Sequence, residues 1–177
     1  MDEKIELSKK IVLIGDSGVG KTSMIRKFVH DIFDDKYIST LGTKVSNKTV
    51  ELIHPDKNFK ITLNLLIWDV MGEKEYELFH QIAYRGAQGA FIVCDITRKE
   101  TLDILPNWVS GLYKSAGEIP IVFIGNKNDL IDKKQFEIED LSKIASTFKS
   151  QSFLTSAKTG ENVEKAFLAL SENILKN

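Results

Sequence analysis

Gly15-Asp16-Ser17-Gly18-Val19-Gly20-Lys21-Thr22 carries the G-x-x-x-x-G-K-T spacing of a phosphate-binding loop, or P-loop. Its glycines let the backbone wrap until N–H groups converge on phosphate oxygens, and Lys21 adds a point charge. A helix starting at Lys21 would add its positive N-terminal dipole, and Thr22 would offer a hydroxyl to Mg²⁺. The same glycines would also serve a bare strand-to-helix turn with no ligand. The apolar run Ile11–Ile14 before them and the helix-like stretch Lys21–Val29 after them supply the context that phosphate binding requires. The loop by itself does not choose a base.

Asn126-Lys127-Asn128-Asp129 closes a second apolar run, Ile121–Gly125, and places a carboxylate where a base could be read. Ionised Asp129 only accepts hydrogen bonds, so it matches the N1–H and 2-amino donors of guanine. Adenine has an acceptor at N1 and nothing polar at C2, which would leave the carboxylate unpaired; sites of this kind discriminate by ~10⁴ or more. Alone, a turn of Asn, Lys and Asp is a solvated loop, and the P-loop upstream is what gives it a ligand to face. Ser156-Ala157-Lys158, after the short run Ser152–Leu154, would set small residues and backbone donors near the base O6. Trp68-Asp69-Val70-Met71-Gly72 ends a further run, where Asp69 could hold Mg²⁺ through water and the Gly72 N–H could meet a γ-phosphate.

Elements that would position these residues follow from the hydrophobic pattern. Short apolar runs at Lys10–Ile14, Leu63–Asp69, Ala90–Asp95, Ile121–Gly125 and Ser152–Leu154 read as strands buried on both faces. Lys44–Ile53 and Phe59–Asp69, separated by His54-Pro55-Asp56-Lys57-Asn58, predict an antiparallel hairpin. Helical spacing appears at Val163, Ala166, Phe167, Leu170 and Ile174, and at Leu102, Leu105, Val109 and Leu112. Alternation of strand and helix predicts an open, mostly parallel sheet with helices on both faces, whose ligands bind beyond the carboxyl ends of the strands.

With 177 residues, 42% hydrophobic, and no repeat or Pro/Gly/Ser-rich linker, the chain reads as one domain. A net charge of -1 gives no broad footprint for nucleic acid or an anionic membrane. Cys94 is the single cysteine and sits in an apolar run, which rules out an internal disulfide and suits a reducing compartment. The start Met1-Asp2-Glu3-Lys4 leads into no signal peptide, and no cysteine stands near the end Asn173–Asn177, so the expectation is a cytoplasmic protein without an intrinsic lipid anchor. His30, His54 and His80 are isolated, read as surface residues, and mark no zinc site.

In this order, the motifs resemble those of the small GTPases of the Ras superfamily, and within it above all the Rab family. Tyr37-Ile38-Ser39-Thr40-Leu41-Gly42 is similar to the Rab switch I segment, and Tyr84-Arg85-Gly86-Ala87, Asp95-Ile96-Thr97 and Asn107-Trp108 to later Rab stretches. The resemblance covers nearly the whole chain. It implies an α/β fold, the three-layer P-loop NTPase or G domain over residues 1–177, with a mostly parallel six-stranded sheet, one antiparallel edge hairpin and helices on both faces. It also implies a GTP/GDP switch that uses Mg²⁺ and hydrolyses GTP slowly. Carried over by position, Asp16, Ser17, Gly18, Val19, Gly20, Lys21, Thr22 and Ser23 would wrap the phosphates. Asn126, Lys127, Asp129, Ser156, Ala157 and Lys158 would hold the base, and Phe33 would pack on its ring, although composition alone makes Phe33 a core residue. Thr22, Thr40 and Asp69 would bind Mg²⁺, while Lys21, Thr40, Gly72 and Glu73 would serve hydrolysis. An exchange factor, a GTPase-activating protein and effectors would engage Asp31–Thr43 and Gly72–Gly86 of a monomer that reaches membranes only through partners.

The chain departs from that pattern where a glutamine usually follows the glycine of the third motif, because Glu73 stands there. Glutamine donates and accepts; an ionised glutamate only accepts and brings negative charge toward the γ-phosphate. Two outcomes are open. Glu73 could polarise water as a base, or swing away and leave hydrolysis to the P-loop and Mg²⁺. Val70-Met71 replaces a Thr-Ala pair, Lys44-Val45 an Asp-Phe pair, and Asp31–Thr43 holds no arginine for a finger from switch I. Besides a switch, a GTP-loaded scaffold with little turnover and an adenine-nucleotide enzyme such as a P-loop kinase stay open.

Overall fold

A computed structural model describes residues 5–54 and 59–177. Residues 55–58 of the expected hairpin turn, and Met1–Lys4, lie outside them. Six strands form one sheet in the order β2-β3-β1-β4-β5-β6: β1 (Ile5–Ile14), β2 (Thr43–Ile53), β3 (Lys60–Val70), β4 (Gly89–Asp95), β5 (Ile121–Asn126) and β6 (Gln151–Leu154). Only β2 runs antiparallel, pairing Thr43 with Val70 through Ile53 with Lys60; the other pairings are parallel. The expected α/β sheet with an edge hairpin is therefore what folds.

Every residue of β4 and β5 is buried, as runs without polar alternation require when helices cover both faces. On one face, α1 (Lys21–His30) and α6 (Val163–Lys176) pack on the sheet, with Phe28 stacked on Phe167 at 3.9 Å between ring centroids. The other face carries α2 (Glu77–Tyr84), α3 (Lys99–Asp103), α4 (Leu105–Ala116) and α5 (Ile138–Thr147). Among the described residues, no helix is long and apolar enough to cross a membrane.

Sequence expectations about strand bounds, helix continuity and histidine burial need correction. Strand β1 begins at Ile5 rather than Lys10; its first half pairs only with β3, so its side chains alternate in exposure and its lysines hid it from an apolar-run reading. The helical stripe Leu102–Leu112 is split between α3 and α4 at Ile104, because Pro106 in the first turn of α4 has no N–H to carry a helix onward, yet all of its apolar members stay buried. Of the histidines, His30 is exposed and His54 half-buried, but His80 is buried: its Nε2 lies 2.9 Å from the Met71 carbonyl, and its ring stacks on Tyr84 and meets the edge of Trp108. Burial depresses the His80 pKa, which leaves a neutral ring donating its Nε2–H to that carbonyl.

Candidate functional site

Parallel register brings the carboxyl ends of the strands to one edge, where Leu13 pairs with Asp69, Asp95 with Asn126 and Gly125 with Leu154. From β1 the chain crosses to β3 on one side and β4 on the other, so the strand order reverses there and opens a crevice. The loop 15–20 follows β1, Met71–Glu73 follows β3, residues 126–129 close β5, and 155–158 follow β6. Together they surround a cavity of about 310 Å³. Ser17, Gly18, Gly20, Lys21, Thr22, Ser23, Thr40, Gly72 and Glu73 line it on the β1 side, and Asn126, Lys127, Asp129, Ala157 and Lys158 on the β5–β6 side. Phe33 lines it too and belongs to neither core cluster, so the composition-based placement in the core does not hold. Asp16, Val19, Asp69 and Ser156 do not line the cavity.

The P-loop's shape depends on residues that have no side chain. Gly20 adopts φ +101°, and a Cβ there would overlap the amide of Asn126. Past it, α1 starts without a side-chain cap, leaving its first N–H groups free to face an anion. Lys21 is only 6% exposed and donates to the carbonyls of Gly15 and Asp16 at 2.7 and 2.9 Å. Burial lowers its pKa to about 8, against the opposing pull of Asp69, Asp16 and Glu73. An ammonium held this way has unmet attraction for an anion.

Thr22 Oγ1 lies 2.8 Å from Thr40 Oγ1 and donates to Asp69 Oδ2 at 2.5 Å. Asp69 is 3% exposed, its Oδ1 has no hydrogen-bond partner among the described residues, and burial raises its pKa. A buried carboxylate oxygen without a donor, beside hydroxyls from the P-loop helix and residue 40, is a donor set that suits a hard divalent cation.

On the β5 side, Asp129 Oδ1 accepts from Ser156 Oγ at 2.6 Å, which fixes the carboxylate while leaving its other oxygen free of that bond. Asn126 lines the cavity, and its side-chain amide also braces the protein: it donates to the Val19 carbonyl at 3.0 Å and accepts from Thr155 Oγ1 at 3.0 Å and Ala157 N at 3.2 Å. One side chain thus joins the P-loop to both base-side segments. Removing it in Asn126→Ala leaves several buried groups unpaired at about 1–3 kcal/mol each, so chemical denaturation should show a fall in stability of several kcal/mol.

Asp95, Arg98, Ser39 and Tyr37 complete the site without having been assigned roles from sequence. Asp95 is fully buried; although burial pushes its pKa up, hydrogen bonds from Lys127 and Thr97 hold it below the ordinary range. It binds Lys127 Nζ at 2.7 Å and Arg98 Nε at 3.3 Å, and Arg98 Nη2 donates to the Ser17 carbonyl at 2.9 Å. An arginine therefore does reach the P-loop, from the segment after β4 rather than from residues 31–43. Ser17 Oγ lies 2.7 Å from Tyr37 Oη, and Glu73 Oε1 accepts from Ser17 Oγ and Ser39 Oγ at 3.2 Å each. Asp16, expected at the phosphates, turns its carboxylate to Trp108 Nε1 at 2.9 Å. Lys158 is 3.9 Å from Asp35 at the open rim.

A loop ahead of a helix, a hydroxyl–carboxylate cluster and an oriented base-side carboxylate around one crevice define a P-loop nucleotide site, and the family model for the Ras family matches residues 10–176. The chain belongs to the Ras family and is a Rab-like small GTPase. It is 37% identical to Ras-related protein Rab-8B of Homo sapiens over 167 residues, covering 94% of this chain and 78% of that one. Ras-related protein Rab-10 of Diplobatis ommata is 38% identical over 172 residues, with 97% and 83% covered. For Ras-related protein Rab-13 of Rattus norvegicus the identity is 36% over 167 residues, with 94% and 79% covered.

Proposed function

We propose that the chain is a two-state switch that binds GTP or GDP with Mg²⁺ and hydrolyses GTP slowly. The observation that carries this is one cavity lined at once by Lys21, Thr22, Thr40 and Gly72 on the β1 side and by Phe33, Lys127, Asp129 and Ala157 opposite. Phosphates belong with the P-loop N–H groups and Lys21, and guanine between Phe33 and Asp129. Thr22, Thr40 and the unpaired Asp69 oxygen fit Mg²⁺, which when bound neutralises phosphate charge. During hydrolysis, Lys21 and the loop N–H groups stabilise the charge that moves onto the leaving phosphate oxygen as water displaces GDP. Thr40 and Gly72 meet the γ-phosphate and part from it afterwards, which changes the surface that partners read.

That surface exposes several apolar side chains. Ile38, Leu41, Leu78 and Ile82 are 70%, 90%, 68% and 60% exposed within Asp31–Thr43 and Gly72–Gly86, where regulators and effectors would dock on a cytoplasmic monomer. Purified protein should retain GDP, the product of turnover; isolation with neither GDP nor GTP in an excess of either would count against the site.

A second reading, a GTP-loaded scaffold, is favoured by the hydrogen bonds that occupy the Glu73 carboxylate. Single-turnover hydrolysis separates the two. A base role for Glu73 predicts a loss of rate in Glu73→Gln, and a scaffold predicts no turnover in the wild-type protein.

Lys21 links binding to pH. With a pKa lowered to about 8 that bound phosphate must raise, nucleotide binding should take up a fraction of a proton around that pH, and affinity should weaken as pH rises above it. Calorimetry in buffers of different ionisation heat reads the uptake directly, and zero uptake contradicts the assignment.

A further inference from the structure

We propose that Glu73 is an internal acceptor that competes with the third phosphate for the hydroxyls of Ser17 and Ser39 and thereby holds switch I closed over GDP. The proposal rests on the guanine-nucleotide reading and goes beyond it. Glu73 Oε1 accepts from the P-loop hydroxyl of Ser17 and from Ser39, the neighbour of Thr40, at 3.2 Å each. With Ser17 donating there, Tyr37 Oη donates to Ser17 Oγ across 2.7 Å, so a single chain of hydrogen bonds runs from residue 37 through the P-loop to residue 73.

A Cβ on Gly72 would overlap the Ser17 amide nitrogen, so the backbone before Glu73 lies against the P-loop. Glu73, Tyr37, Ser17 and Lys21 line the same cavity, and the Glu73 charge acts on Lys21. The carboxylate is thus an anion among the donors that a terminal phosphate would use. Each serine hydroxyl has one hydrogen, which goes either to Glu73 or to a phosphate oxygen, and the two anions repel each other at such range. A neutral glutamine would offer a weaker acceptor and no repulsion.

Wild-type protein should therefore favour GTP over GDP less than its variants do. Glu73→Ala should raise the ratio of GTP to GDP affinity about tenfold or more, the usual scale for losing hydrogen bonds to a charged group, with a smaller rise for Glu73→Gln. In the GDP-loaded protein, amide hydrogen exchange across residues 37–40 and GDP dissociation should both accelerate in Glu73→Ala. Ser39→Ala should accelerate them as well, and less than additively with Glu73→Ala, because both break one contact. An unchanged affinity ratio with unchanged exchange at 37–40 overturns the latch alone. Failure of the wild type to bind either nucleotide overturns the guanine-nucleotide reading, and the latch with it.

Discussion

Asp129→Ala is expected to weaken GTP binding by about 10³-fold or more while leaving the already weak binding of ATP nearly unchanged. Asp129 is set at the cavity edge where β5 ends, and Ser156 Oγ holds one carboxylate oxygen at 2.6 Å, so the side chain has its orientation before any base arrives. A fixed acceptor-only group would face the N1–H and 2-amino donors of guanine, where adenine has an acceptor at N1 and nothing polar at C2, and alanine removes that difference. Equilibrium titration with fluorescent GTP and ATP analogues measures both affinities. Equal, small losses for both would mean that Asp129 does not read the base. Ser156→Ala should reproduce part of the GTP loss, since it frees the carboxylate to turn.

Lys21→Ala should remove measurable binding of both GTP and GDP, a loss of about 10³-fold or more, because truncating a buried cation that faces an anion costs 2–5 kcal/mol or above. Its effect on stability runs the other way. The Lys21 pKa of about 8 lies below the ordinary 10.5, so carrying the charged form near pH 7 costs the fold about 3 kcal/mol, and this cost is relieved as pH rises from about 8 to 10.5. Alanine abolishes the cost together with the hydrogen bonds to Gly15 and Asp16. Thermal unfolding without nucleotide should therefore show no large destabilisation, while the rise in melting temperature on adding GTP disappears. A variant that unfolds many degrees earlier and still gains from GTP would place Lys21 in the framework rather than at the phosphates.

Much of this was legible because its chemistry is local. The loop 15–22 can be read as phosphate-binding from eight adjacent residues, since the backbone that makes the cradle is the backbone that carries the glycines. The all-buried strands β4 and β5 declare themselves as unbroken apolar runs, and the edge hairpin by its turn residues. Contacts set by strand register were beyond reach. Arg98 reaches Ser17 across 81 positions, Trp108 meets Asp16 across 92, and Asn126 braces Val19 across 107. No spacing rule spans such gaps, so the bracing that the Asp16 and Asn126 side chains give the site is not readable from sequence. His80 was misplaced for the same reason: only the packing of α2 against α4 buries it against Trp108. Glu73 could be recognised as a departure, but its hydrogen bonds to Ser17 and Ser39 depend on how residues 32–42, which lack helix and strand, lie across the crevice.

A site built for guanine nucleotide should show its selectivity in the displacement of labelled GTP from the wild-type protein. GDP should displace it at comparable concentration, whereas ATP should fail even at about a thousandfold excess, the discrimination expected of an oriented Asp129. Displacement by ATP at the same concentration as GDP would mean that the site does not select guanine.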